Sequence, residues 1–227
     1  MSDRFTGLRD LVAALAVLAA LSGCGASYDG DASTKVNGSI HVPVGKQPGP
    51  VTTVNGSIAI DDSAAVTSAT TVNGGVHLGS HASAASLNSV NGDIVLGAGA
   101  HVSGSAASVN GDLELGDGSE VLGSLSNVNG TVTLTAAHVG NGIKTDNGDV
   151  TLTGASHVEG GILVEKPGAQ LVQVMQKVPR IVIGPGVTVQ GELRFERTVK
   201  LYVSDKATIG TVTGATPIPF SGDTAPK

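Results

Sequence analysis

An Asn-Gly pair returns along this chain at a nearly constant step. It stands at Asn37, Asn55, Asn73, Asn91, Asn110, Asn129 and Asn147, with spacings of 18, 18, 18, 19, 19 and 18 residues. Val precedes the Asn each time until Asn147, where Asp146 takes its place. Two aliphatics at alternate positions follow each pair, such as Ile58 and Ile60, or Leu113 and Leu115. Alternation of period two is the pattern of a short half-buried strand. One such unit repeated at a fixed period is the signature of a stacked array.

A second rhythm of six runs through the same residues. It links Val54, Ile60 and Val66, then Val90, Leu96 and Val102, then Val109, Leu115 and Val121, and slips to Ala84 or Gly140 elsewhere. Three inward positions per repeat predict three short faces. The expected fold is all-β: a single-stranded parallel β-solenoid (β-helix) of ~18-residue coils with Asn-Gly corners, neighbouring coils ~4.8 Å apart. Both residues of the pair tolerate a positive φ and suit a tight corner. The seven asparagines, stacked at one corner, can form a ladder of side-chain amides. A meander of hairpins is the alternative, because Asn-Gly is also the strongest hairpin turn. It would need turns every 8–12 residues with similar strands on both sides. Composition agrees with a narrow interior, since aromatics are 2% and Trp is absent while Gly numbers 33.

The first residues read as a processing signal. Arg4 and Arg9 precede an apolar run from Leu11 to Leu21. Eleven helical residues span roughly 16 Å, too short for a ~30 Å hydrocarbon core. The run ends in Leu21-Ser22-Gly23-Cys24, and Cys24 is the single cysteine of the chain. This resembles the bacterial lipoprotein lipobox, which implies a signal peptide over 1–23 and lipidation of Cys24. Gly25 after the cysteine resembles outer-membrane sorting in Gram-negative lipoproteins. Residues 24–34 then read as the lipidated cysteine and a tether, 35–213 as the solenoid, and about 165–180 as a segment looping out of it. The hexad rhythm returns through Ile183, Val189, Phe195, Leu201, Ala207 and Thr213. Residues 214–227 form a Pro-rich tail that crosses or leaves the last coil.

The Thr-Val-Asn-Gly phrases at Thr53 and Thr71 resemble the bacterial adhesin family of β-solenoid repeat lipoproteins. The closing hexads resemble bactofilins, which form polymers. The expectation is a lipid-anchored protein of the cell envelope, at the outer membrane of a Gram-negative bacterium. Its solenoid would be structural or adhesive, without catalysis. A bactofilin-like scaffold that associates end to end is the alternative, and a solenoid enzyme with an inter-coil histidine metal site is the second.

Little chemistry recurs in register. Paired imidazoles across coils can hold a metal, and His138 and His157 lie one repeat apart. No carboxylate or third histidine is read in the same column, so no metal and no cofactor is expected. Asp93, Asp112 and Asp149 follow Asn-Gly, but the calcium nonapeptide is absent, so they read as solvated charges. A net charge of −6 argues against a nucleic-acid partner. Residues 24–157 carry three basic against eleven acidic groups, and 158–227 carry eight against six. Lys166, Lys177, Arg180, Arg194, Arg197 and Lys200 are therefore candidates for contact with an anionic envelope polymer, or they are interspersed surface pairs with Glu165, Glu192 and Glu196. Expected partners are the membrane, through the lipid, and an envelope polymer or surface protein.

Overall fold

The computed structural model describes residues 28–29, 32–166 and 177–226. Cys24, the leader before it and residues 167–176 of the out-looping segment lie outside them. All described regular elements are strands. Equivalent strands pair in parallel one coil apart, so Asn37 aligns with Asn55, Asn55 with Asn73 and Asn73 with Asn91. The chain is a parallel β-solenoid of about 10 turns. At ~4.8 Å per turn it makes a rod roughly 45–50 Å long.

Each coil has three faces. Face one carries strands such as Val51–Asn55 and Ala106–Asn110 and ends at the Asn-Gly corner. Face two carries three-residue strands, among them Ile58–Ile60 and Leu113–Leu115. Face three is shorter, with His101–Val102, Glu120–Val121, His138–Val139 and His157–Val158. Inside, face two stacks Ile40 on Ile58, Val76 and Ile94, all buried. Small buried residues, including Ala64, Ala82, Ala100, Ser119 and Ala137, turn the chain into face three. Among the described residues aliphatics fill this bore, with Phe195 the one ring in the cluster, near its C-terminal end, in keeping with the low aromatic content.

The Asn-Gly corner works through both residues, for different reasons. Each Asn Nδ2 donates to the Asn Oδ1 of the preceding coil, at 3.0 Å from Asn55 to Asn37 and 2.9 Å from Asn110 to Asn91. The chain of amides continues through Asn129 to Asn147. There Arg197 closes it, donating from Nη1 to Asn147 Oδ1. None of these asparagines has a positive φ, whereas corner glycines such as Gly38 and Gly130 do, so of the two residues that tolerate it only the glycine uses it. The glycine answers to close approach: a Cβ added at Gly111 would overlap the carbonyl oxygen of Gly92.

Four expectations are revised. The inward residue before the corner is not Val54 but Thr53, because the alternation set by buried Val51 turns Val54 outward. Thr53, Thr71, Ser89 and Ser108 are fully buried, and each hydroxyl donates to a corner glycine carbonyl one coil back. On face three the inward residue is Val139, not Gly140, and it pairs with Val121. At the end of the hexads Val212, not Thr213, takes the inward place, pairing with Leu193 while Thr213 is exposed. Within 24–34, expected as lipidated cysteine and tether, Tyr28–Asp29 is a strand and pairs with the start of strand Ala32–Asn37.

The tail does not leave the stack. Ile218–Phe220 adds a further parallel rung, with Tyr202 opposite Ile218 and Ser204 opposite Phe220. The chain then folds back over the outer wall. Ala225 packs on Val182, Tyr202 and Phe220, and the Arg180 guanidinium donates to the Pro226 carbonyl at 2.7 Å while lying 4.8 Å over the Tyr202 ring. Burying that apolar outer cluster offsets the entropy of ordering a Pro-rich segment.

Candidate functional site

Face three gathers the chemistry. Its strands are two residues long: one residue points inward and is buried, and its neighbour points outward. In-register pairing therefore sets the outward residues in one vertical column. His101 pairs with Glu120, Glu120 with His138, and His138 with His157. The expectation that no carboxylate or third histidine shares the column is overturned, because the coil lengths alternate between 18 and 19 and hide the alignment.

The column is joined by hydrogen bonds. Glu120 sits between two imidazoles, with Oε2 2.9 Å from His101 Nδ1 and Oε1 2.8 Å from His138 Nδ1. On the far side of the His138 ring, Nε2 lies 3.2 Å from Glu159 Oε1. Glu159 follows the inward Val158, and the equivalent place one coil back is Gly140. With no side chain there, the Glu159 carboxylate bends back to His138. The rings of His138 and His157 are 5.6 Å apart, and the Gln190 amide nitrogen is 3.2 Å from His157 Nε2. His138 is 29% exposed and Glu159 55%, so the group is open to solvent. The hydrogen bond to His138 is the main influence holding the Glu120 carboxyl below its ordinary range; partial burial opposes it, and the bond and charge of His101 assist.

These contacts constrain the protons. An ionised carboxylate only accepts, so His101 and His138 carry hydrogen on the Nδ1 atoms that face Glu120. His138 then presents Nε2 to a second carboxylate. Two acceptors at 3.2 Å repel unless a proton or another cation stands between them. The donor atoms of His138, His157 and Glu159 all lie within 4.8 Å of one another.

The other candidates have different surroundings. His41 and His77 share a column, separated by Ala59. Asp93 and Asp112 use their carboxylates to accept backbone N–H groups of the next coil, from Asp112 and Thr131, and Asp149 does the same for Arg180. They are corner caps. Among the basic residues, Arg197 is committed to the ladder end and to the carbonyls of Asp146 and Lys177. Arg180 holds the tail, Lys177 pairs with Asp149 at 2.8 Å, and Arg194 pairs with Glu196 at 2.8 Å. Lys166 and Lys200 are exposed. Cys24 lies outside the described residues. Compared with known proteins, the chain matches no family model, no curated sequence and no solved structure.

Proposed function

We propose that this chain is a lipid-anchored rod of the bacterial cell envelope, structural or adhesive and non-catalytic. The lipobox-like Leu21-Ser22-Gly23-Cys24 supplies the anchor. The observation that carries the reading of a discrete rod, rather than a polymerising scaffold, is the closed C-terminal end. Phe220 turns its carbonyl to the stack, where Asp205 N donates to it at 3.0 Å. By the alternation of a strand, Pro217 and Pro219 then face the free edge. Proline has no N–H, so two donors are missing from the edge that a second rod would extend. At the other end, Tyr28–Asp29 lies antiparallel on Ala32–Ser33, a direction that breaks the parallel stack. Such edges are how sheet proteins avoid end-to-end pairing.

Two measurements test this. Expressed in a Gram-negative host, the wild-type chain is expected in the detergent-extractable membrane fraction, and Cys24→Ala in the soluble fraction. Identical partitioning of the two would remove the anchor from the reading. Negative-stain microscopy of the extracted protein is expected to show short separate rods. Filaments would instead favour the scaffold.

A further inference from the structure

We propose that His138, His157 and Glu159 bind one divalent transition-metal ion, of the zinc class, on the outer wall of two adjacent coils. The inference goes beyond the envelope reading and does not depend on it. Three observations carry it.

The first is the ligand set. Two imidazoles and one carboxylate, with donor atoms within 4.8 Å, come from neighbouring rungs of a rigid ladder. Imidazole donors favour zinc, copper or nickel over calcium or magnesium, which take oxygen ligands. The second is spacing. Ligands about 2.0–2.1 Å from a tetrahedral zinc sit roughly 3.3 Å from each other. His138 Nε2 and Glu159 Oε1 are 3.2 Å apart. That edge of a tetrahedron is already formed, and rotation of the half-buried His157 ring away from the Gln190 amide, 3.2 Å from its Nε2, would bring in the third ligand.

The third is orientation. Glu120 holds His138 through Nδ1 at 2.8 Å, which fixes the proton there and leaves the Nε2 lone pair facing Glu159. A carboxylate behind the imidazole is the usual support of a metal-ligating histidine. Glu120 is thus a positioning residue, and His101 on its other oxygen keeps it in place. A cation between Nε2 and Oε1 removes the acceptor–acceptor repulsion. Three protein ligands leave the fourth position to water or to a donor on a partner.

The test uses the full chain without a histidine tag and with Cys24→Ala, which removes its one thiol. Zinc chloride is titrated in by calorimetry. The expected result is one ion per chain. His157→Gln and Glu159→Gln should each weaken binding by at least tenfold, and Glu120→Gln by about tenfold. His77→Gln, on face two, should leave affinity unchanged. Zinc-edge absorption of the parent should show two imidazole nitrogens at about 2.0–2.1 Å. Circular dichroism melts check that each variant folds. Parent-like affinity in His157→Gln and Glu159→Gln, or equal losses in His77→Gln, overturns the proposal.

Discussion

Asp146 stands where coil after coil carries an outward valine. It occupies the column of Val54, Val72, Val90, Val109 and Val128, and its Oδ1 is buried without a hydrogen-bond partner among the described residues. Burial, with the charge of Glu165, pushes its carboxyl up from 3.8 to about 6, against the weaker pull of Lys144 and Arg197. Between those values the folded protein holds a proton that the unfolded chain has released. The stabilising contribution is therefore complete below about 3.8 and is lost as pH rises through about 6. For a half-buried group this amounts to roughly 1–2 kcal/mol once solvent screening is allowed for. Asp146→Asn should be more stable than wild type by that amount at pH 7 and equal to it near pH 4, as read by urea unfolding. An unchanged pH 4–7 profile would show that Asp146 titrates normally. Glu120 acts with the opposite sign, since its stabilising contribution is present at neutral pH and fades as acid protonates it. Ala136 carries a φ of 48°, at the corner where Gly118 and Gly154 have 66° and 63°. Only glycine adopts that region without steric cost. Ala136→Gly should raise stability by about 1 kcal/mol, measured by thermal melting. Destabilisation would mean that the Ala136 methyl packs more than the backbone strains.

The element that repeats is a corner with two hydrogen-bond columns. Outside, the asparagine amides donate from coil to coil. Inside, hydroxyls satisfy glycine carbonyls that the tight corner would leave without a donor. The inner column is the one shielded from water, so its loss costs more. Thr71 is fully buried, with its hydroxyl 2.9 Å from Gly56 O. Thr71→Val, nearly equal in shape, should cost ~1–2 kcal/mol. Val54→Thr, on the outward side of the same strand type, should change stability by less than about 0.5 kcal/mol. The pair is decisive because a hexad rhythm with Val54 inside predicts the reverse order in chemical denaturation.

On the scale of the whole molecule, the two ends differ from the middle. A stack of identical parallel coils exposes a sticky edge at each end. The Thr-Pro-Ile-Pro-Phe segment from Thr216 adds a rung and then withholds its donors. Replacing both Pro217 and Pro219 by Val should restore two edge N–H groups. Sedimentation velocity is then expected to show concentration-dependent association that wild type lacks. A monomeric double variant would mean that the antiparallel N-terminal strand alone prevents stacking. The start of the rod also bears on the proposed anchor. Three residues separate Cys24 from the first strand at Tyr28, so four Cα–Cα steps reach at most ~14 Å. A lipid on Cys24 would hold the first coil close to the bilayer, with little free tether.

The repeat period alone was enough for the class of fold, the Asn-Gly corner and the face-two core, because those features recur at a near-constant step and depend on local side-chain alternation. Ile58 and Ile60 could hardly point elsewhere. A further Asn-Gly, at Asn141, shows the limit of the motif: it lies off the amide ladder, at the corner between faces three and one. Face three was not legible in the same way. Its His-Val, Glu-Val, His-Val and His-Val pairs at 101, 120, 138 and 157 are visible once aligned, but an irregular step of 19, 18 and 19 displaces a count made in sixes. Which residue of a coil faces the bore, which imidazole meets which carboxylate, and where the tail turns back depend on register between strands far apart in the chain. Register is fixed by backbone hydrogen bonds and core packing summed over whole coils, so only the folded stack decides it.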